Sequence, residues 1–541
     1  MNRSFWGAFL SLRLAPLVSC IFIALTILLL SQGHPGGSGQ IALLVLVALT
    51  LLGCYDLLQT EHSVLRNYPI LGHLRFLLED IRPEIRQYFV EDETQGYPFS
   101  RNKRAVVYQR AKNNLDKRPF GTQLNVYGEG FEWLSHSIAP ATVGSHDFRV
   151  RVGGPNCRQP YEASLFNISA MSFGALSANA LLALNAGAKF GGFAHNTGEG
   201  GISPYHLVHD GDLIWEIGSG YFGCRTSDGR FDPDSFAGHA CDEQVKMIEI
   251  KLSQGAKPGH GGLLPAAKVS LEIAGIRGVR MGEDCISPAA HSAFSTPIEL
   301  LQFIQRLRDL SEGKPVGFKL CIGRPSEFLA ICKAMLETGI LPDFVTVDGK
   351  EGGTGSAPLE FMDHIGMPMR EGLALVHHAL IGTGLREHIR VAVSGKIATG
   401  FDIARASALG ADWCYSARGF MFALGCIQSL KCHTDRCPTG VATQDPARGR
   451  ALVPSLKAER VFNYHRATMI ALSELTAAAG VEHPRDLQAR DFYWRVAEHQ
   501  IVTLDQLYPR PAPGAFLDGD IDKRLAQAWR EARADSFRVA G

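Results

Sequence analysis

The chain has 541 residues, with 54 basic and 54 acidic, so its formal net charge is zero. With no polybasic run and no acidic tail, the sequence argues against a nucleic-acid partner and against a solvating arm. Its twelve cysteines are too sparse for a secreted disulfide framework, and its length leaves room for more than one structural unit.

Residues 14–30 (LAPLVSCIFIALTILLL) and 41–58 are apolar runs near the lower length limit of a membrane-spanning helix. Between them, residues 31–40 form a polar turn without Lys or Arg; Arg3 and Arg13 precede the pair, and Arg66, Arg75 and Arg82 follow it. This asymmetry predicts a transmembrane helical hairpin over residues 1–60 with both ends in the cytoplasm. The protein would then be multi-pass, with its catalytic domain facing the cytoplasm. The alternative is a cleaved signal peptide followed by a lone anchor, but no A-x-A-like site follows the first run. Residues 61–155 read as a juxtamembrane region of helices (81–89 and 105–113) and loops.

From residue 156 the pattern changes to short β runs alternating with helices. Strands are predicted at 163–171, 192–196, 247–252, 284–287, 316–321, 344–348, 390–394 and 412–416. Helices are predicted at 178–189, 266–275, 297–310, 325–337, 372–383 and 401–409. Eight β–α units in this span predict an α/β fold, a (β/α)8 TIM barrel, with a doubly wound open sheet as the alternative. A barrel carries its chemistry at the carboxyl ends of its strands. Five predicted strands end in glycine-rich loops, which begin at Ser172, Asn196, Gly255, Asp348 and Ser394 and admit a close-lying anion. Gly218-Ser-Gly-Tyr-Phe-Gly223 matches G-x-G-x-x-G, but loop-like sequence follows it where a dinucleotide site needs a helix.

Cys426, Cys432 and Cys437 lie in a C-x5-C-x4-C pattern with Pro438 after the last. Closely spaced thiolates hold soft metals and iron–sulfur clusters, and three ligands suit a three-iron cluster or a four-iron cluster with an open corner. The same segment would serve a structural zinc site with His433 as fourth ligand, or three packed thiols. Residues 446–541 read as a helical, polar extension.

Taken together, these residues resemble the synthase domain of glutamate synthase over about residues 160–445. The resemblance rests on GCIQSLKCHTDRCPTGVATQ (425–444), MSFGALS (171–177), NTGEGG (196–201), QGAKPGHGGLLPAAKVS (254–270) and GGTGSAP (352–358), found in the family's order. With its apolar hairpin, the whole chain is similar to the shorter, membrane-linked members of the FMN-binding glutamate synthase family. The resemblance implies an oxidoreductase of the class acting on CH–NH2 donors, with FMN at the barrel mouth and a three-iron–four-sulfur cluster on Cys426, Cys432 and Cys437. The implied reaction joins 2-oxoglutarate and ammonia as 2-iminoglutarate, which reduced FMN converts to glutamate.

By the same resemblance Lys319 lies near the flavin pyrimidine edge, where a cation favours the anionic reduced ring, and Glu199 lies at the substrate mouth. Lys257 and Arg277 match positions that hold the oxo-acid carboxylates. Met171, Ser172, Asp348, Gly352, Gly353, Ser394, Gly395, Gly400, Gly410 and Gly419 fall on the FMN-binding segments, with the last five near the phosphate. On the residues alone, Lys319 and Arg277 would also serve as solvated charges, and Glu199 as a turn cap.

The chain departs from the family in one loop: where the pattern reads K-P-G-E-G-G-Q, it has His260 for the glutamate and Leu263 for the glutamine. A related oxo acid, or another amine donor, then becomes an alternative substrate. The full enzyme's N-terminal cysteine nucleophile is absent, and no nicotinamide module is visible. Ammonia is therefore expected from solution or from a partner, and electrons from a separate donor such as ferredoxin or a reductase subunit. A homo-oligomer is compatible with this reading. Two other functions fit the residues: a different FMN-barrel oxidoreductase acting on a related oxo or hydroxy acid, and a membrane-anchored electron-transfer or regulatory subunit.

Overall fold

A computed structural model describes residues 13–30 and 36–538; Arg3 and the first half of the expected polar turn (31–35) lie outside them. The chain divides into two units, Met1–Asp92 and Glu93–Gly541. The domain boundaries expected at 155 and 445 therefore both fall inside the second unit.

In the first unit, helices Ala15–Leu30 and Gly37–Leu58 pack together, and Gly53 makes the approach close. A Cβ at Gly53 would lie 2.7 Å from the Leu17 side chain, so a small residue sets the separation. Gly37–Leu58 is long and apolar enough to cross a membrane; Ala15–Leu30 is apolar but has 16 residues. Asp56 is buried near the end of the second helix and accepts the Ile70 backbone N–H at 2.9 Å. It also bonds His73 Nε2 at 2.9 Å. Helix Leu71–Ile85 follows and runs into a π-turn at Arg86–Val90, which replaces the single helix expected at 81–89.

In the second unit, eight parallel strands close a barrel. They are β1 (Phe166–Ile168), β2 (His195–Asn196), β3 (Leu213–Ile217), β4 (Val245–Lys251), β5 (Val316–Leu320), β6 (Phe344–Asp348), β7 (Arg390–Ser394) and β8 (Trp413–Ser416). The ring closes where β8 pairs with β1, Cys414 opposite Phe166. Two strand assignments need correction. The sequence at 284–287 was expected to be a barrel strand, but Cys285–Ile286 pairs antiparallel with Leu263–Leu264 in an excursion after β4. The strand that completes the ring is β3, Leu-Ile-Trp-Glu-Ile, so the Gly255 loop follows the fourth strand and not the third. The first expected strand is also divided: Tyr161–Ser164 pairs with Arg149–Val152 outside the ring.

Alternation along the strands sets the interior. Near the amino ends, Ala194, Ile214, Met247, Phe344, Ala392 and Trp413 form a dry cluster. Gly317 is part of this fit, because a Cβ there would lie 2.6 Å from the Phe344 ring. Two residues further along the same faces come Asn196, Glu216, Glu249, Lys319, Thr346, Ser394 and Tyr415, most of them polar. The packed floor thus supports a charged layer directly beneath the mouth.

The C-terminal region, expected as a mostly helical extension over 446–541, carries two strands besides its helices. Helix Pro454–Ala478 packs on the first barrel helix, Ala178–Gly191, where a Cβ at Gly187 would lie 2.6 Å from Val461 Cβ. It also packs behind the helix that follows β7, so it covers the barrel as its eighth helix. Phe492–Ala497 and Gln500–Thr503 then form a three-stranded sheet with Glu132–Leu134. Helix Arg101–Ala111 takes the place of the one expected at 105–113, capped by the Ser100 side chain.

Candidate active site

The carboxyl ends of the barrel strands surround a cavity of about 970 Å³. Of the expected site residues, Met171, Ser172, Glu199, Lys257, Arg277, Lys319, Asp348, Gly352, Gly353, Ser394, Gly395, Cys426 and Cys432 all line it. Strand direction, with the loops and short helices that follow the strands, brings these separate parts of the sequence to one opening.

Lys319, at the floor, is ion-paired with Glu216 from β3 and lies 3.5 Å from Glu249 of β4. Glu249 accepts hydrogen bonds from Thr346 Oγ1 (2.6 Å) and Asn196 Nδ2 (2.8 Å). Burial pushes Lys319 down to about 8, against the attraction of Asp348 and Glu199. Burial pushes Glu249 up to about 7.

Above this layer, Lys251 lies 3.1 Å from Glu199. Burial would raise the Glu199 carboxyl, but Lys251, Lys257 and Arg277 together hold it below the ordinary carboxylate value. The Lys257 ammonium donates to Gly261 O (3.0 Å) and Ser356 Oγ (3.1 Å). Arg277 donates to Phe173 O at 3.0 Å and lies over the Phe222 ring, and its Nε is buried without a partner. Lys251, Lys257 and Arg277 thus all act on Glu199. Cations left in excess of their counterions in a walled cavity favour an anionic ligand.

Asp348 and Ser394 bond each other, and Asp348 accepts the Gly255 N–H at 2.7 Å. A Cβ at Gly352 or Gly353 would meet nothing closer than 3.8 Å, an ordinary contact distance, so packing does not demand glycine at either position. With no side chains, these glycines keep one wall flat. Gly395 is packed from behind, where a Cβ would lie 2.6 Å from Met369 Cβ.

Three expected phosphate residues do not reach the cavity. Gly400 starts the helix after β7 and packs on helix Pro454–Ala478, where a Cβ would lie 2.7 Å from Leu472 N. Gly419 packs against Tyr464 and Ser416. Gly410 lies between that helix and the start of β8, at the opposite end of the barrel, with φ +112° and the His377 ring where a Cβ would stand. The cations on this side are Lys396 and Arg418, which the sequence reading missed. Glu216, Glu249 and Lys251 were missed as well. Their signal was present: Glu249 and Lys251 are two apart on one face of a strand, and Glu216 is a lone acid inside Leu-Ile-Trp-Glu-Ile.

Cys426 and Cys432 line the cavity, while Cys437 is buried behind it. Among the described residues, no three His, Cys, Asp or Glu side chains converge on a single-ion position. The thiols still lie within electrostatic reach of one another, since Cys432 and Cys437 both act on Cys426. Burial would raise Cys437, but the Thr439 hydroxyl and the backbone amides of Ala442, Thr439 and Val441 bring it below the ordinary thiol value. Lys268 donates to Cys432 O at 2.9 Å, and Arg418 Nη1 lies 4.0 Å from Cys432 Sγ. Spaced thiols beside cations and backbone amides fit a polynuclear cluster better than one zinc ion. His260 stacks edge-on against Phe361 and is exposed, whereas Leu263 faces the cavity.

A parallel barrel with a cationic mouth and a thiol-bearing segment after its last strand defines a barrel oxidoreductase. The family described as the conserved region in glutamate synthase matches residues 156–482. The chain is 38% identical to the glutamate synthase large subunit-like protein YerD of Bacillus subtilis, over 83% of this chain and 93% of that one. It is 37% identical to the archaeal glutamate synthase (NADPH) of Methanocaldococcus jannaschii, over 59% of this chain and 60% of that enzyme. With the NADPH glutamate synthase large chain of B. subtilis it shares 34% identity, over 58% of this chain and 20% of the larger protein. The chain belongs to the glutamate synthase family and is an oxidoreductase of glutamate synthase type. The matched region runs to residue 482, so it includes the eighth barrel helix.

Proposed function

We propose that the protein makes glutamate by reductive amination of 2-oxoglutarate with ammonia, using FMN in the barrel cavity, a three-iron cluster beside it, and electrons from a separate donor. The observation that carries this reading is the meeting of Lys319, Lys257, Arg277 and Glu199 with Cys426 and Cys432 around one cavity. Its volume of about 970 Å³ and its flat glycine wall suit FMN. When bound, FMN supplies the hydride that reduces the imine carbon, and the cluster supplies electrons. Cys426, Cys432 and Cys437 would hold the cluster. Lys319 would offer its positive charge to the pyrimidine edge of the flavin, with Glu216 fixing the ammonium. Lys396 and Arg418 would face the phosphate.

Lys257 and Arg277 bind the substrate carboxylates, and the loop walls exclude water from the reacting carbon. Glu199, held ionised by its cations, orients the amine. Leu263 supports a second reading, a 2-oxo acid with a more apolar chain, because it presents a methyl-rich wall where an amide would have bonded a carboxylate. The apolar helices Ala15–Leu30 and Gly37–Leu58 support membrane attachment as a hairpin, and the arginines that flank them in the sequence favour a barrel on the cytoplasmic side.

The test is to purify the chain anaerobically in detergent, measure iron and flavin, and add 2-oxoglutarate and ammonia after reduction with dithionite. About three irons and one FMN per chain, with glutamate formed as the flavin reoxidises, are expected. A loaded protein whose flavin ignores 2-oxoglutarate but reoxidises with a branched-chain oxo acid would favour the second reading.

A further inference from the structure

A stretch of chain that precedes the barrel reaches the thiol segment. Tyr97, Pro98 and Phe99 line the cavity together with Cys426 and Gln428, although they lie outside the matched span 156–482. Phe99 is buried and meets the Phe422 ring edge-on at 5.2 Å between centroids, and Tyr108 meets the same ring edge-on at 5.9 Å. The Tyr108 hydroxyl donates to Cys426 O at 2.6 Å. Helix Arg101–Ala111, which carries Tyr108, is itself fixed to the barrel, since Lys103 donates to Asp402 Oδ1 at 3.1 Å and to Lys396 O at 3.4 Å.

Gln428 joins this stretch to the first thiol. Its side-chain Oε1 accepts the Phe99 N–H at 3.2 Å and its Nε2 donates to Phe99 O at 3.3 Å, so both ends of the amide are spent on one residue 329 positions earlier. Its backbone is left-handed, with φ +58°, as is that of Leu430. Residues with side chains disfavour this region, and such turns persist where their surroundings over-determine them. The turn aims the Gln428 backbone N–H at Cys426 Sγ, 3.5 Å away. An amide that donates to a ligand sulfur stabilises the more negative, reduced form of a cluster, and hydrogen bonds to sulfur are among the factors that set cluster potentials.

We propose that Gln428 is a positioning residue: clamped to the Phe99 backbone, it holds its own N–H on the Cys426 sulfur and so raises the reduction potential of the cluster. The inference rests on the iron–sulfur reading above. A glutamine that only filled space would need neither bond to Phe99, and a glycine would take the left-handed turn without a clamp. The clamp ties the potential to residues outside the barrel, because whatever displaces the Phe99 backbone displaces the Gln428 amide with it.

The experiment uses the full-length protein, purified anaerobically in detergent, and follows the cluster by electron paramagnetic resonance through a redox titration. Gln428→Leu keeps most of the side chain's bulk and loses both bonds to Phe99. Poised at the midpoint of the unsubstituted protein, its ratio of reduced to oxidised cluster is expected to fall by about threefold or more, with iron and flavin content unchanged. Thr434→Val removes a different hydrogen bond of the same loop, the one to Lys431 O, and should leave the ratio where it is. An equal fall in both variants overturns the proposal, because loosening anywhere in the loop would then suffice. So does an unchanged ratio in Gln428→Leu. Should Gln428→Leu lose its iron, Gln428→Asn, one methylene too short to reach Phe99 from the same turn, carries the same expectation. Loss of iron from both, with flavin retained, also overturns it, since the residue would then hold the cluster in place and not set its potential. An unsubstituted protein without iron removes the cofactor reading and this inference with it, whereas iron in place and a potential indifferent to Gln428 removes the inference alone.

Discussion

The two layers inside the barrel share the same strands and differ in almost everything else. The lower layer, with Met247, Phe344 and Trp413, is apolar and close-packed. The upper layer, two residues along the same strands, buries Lys319 between Glu216 and Glu249. Packing of this kind contributes stability, whereas buried ion pairs often cost about as much in desolvation as they return. The lower layer is what lets the upper one hold charges in place for chemistry.

The sharpest test of this contrast is Lys319→Met, which leaves two buried carboxylates facing each other without their cation. We expect a loss of about 3–5 kcal/mol in denaturant unfolding together with loss of glutamate formation. Flavin potential, measured in whatever protein retains FMN, should fall. An unchanged potential would remove Lys319 from its proposed place beside the flavin.

Phe344→Ala should cost a similar amount, about 3–5 kcal/mol, but leave flavin content and KM unchanged at a temperature where the variant is folded. If KM moves with stability, the layers are not independent.

A pH titration of unfolding separates them further. The folded protein holds a proton on Glu249 that the unfolded chain releases at the ordinary value of 4.5, because burial raises this group to about 7. Its contribution is therefore full below about 4.5 and is lost as the pH rises through about 7. Glu249→Gln should flatten that fall in a denaturant series, and an unaltered slope would place the proton elsewhere.

Leu263→Gln carries the smallest effect, about a tenfold lower KM for 2-oxoglutarate, near 1.4 kcal/mol. No change would show that the wall at Leu263 does not meet the distal carboxylate.

The barrel could be read from the sequence because alternating strand and helix patterns are local. Helix 297–310, for example, opens with a Thr296–Glu299 capping box and ends where expected. The two errors in strand assignment cancelled in the count. Leu-Ile-Trp-Glu-Ile carries an acid that made it look unlike a core strand, and Cys285–Ile286 imitates one while pairing only with a neighbouring hairpin arm. Most cavity residues were legible because glycine-rich loops follow the strands whose ends they decorate. Gly400, Gly410 and Gly419 were misplaced because a glycine demanded by helix packing or by a left-handed turn is spelled the same way as one demanded by a ligand.

The sequence by itself determined most of the barrel's alternating elements, the thiol spacing and the apolar N-terminal runs, since each depends on residues within a few positions of one another. Only the tertiary structure decided which charges meet. Lys319 finds Glu216 across 103 positions of chain, and Arg418 finds Gly353 across 65. Such pairings follow from the order and register in which strands close a ring, and no local pattern carries that information.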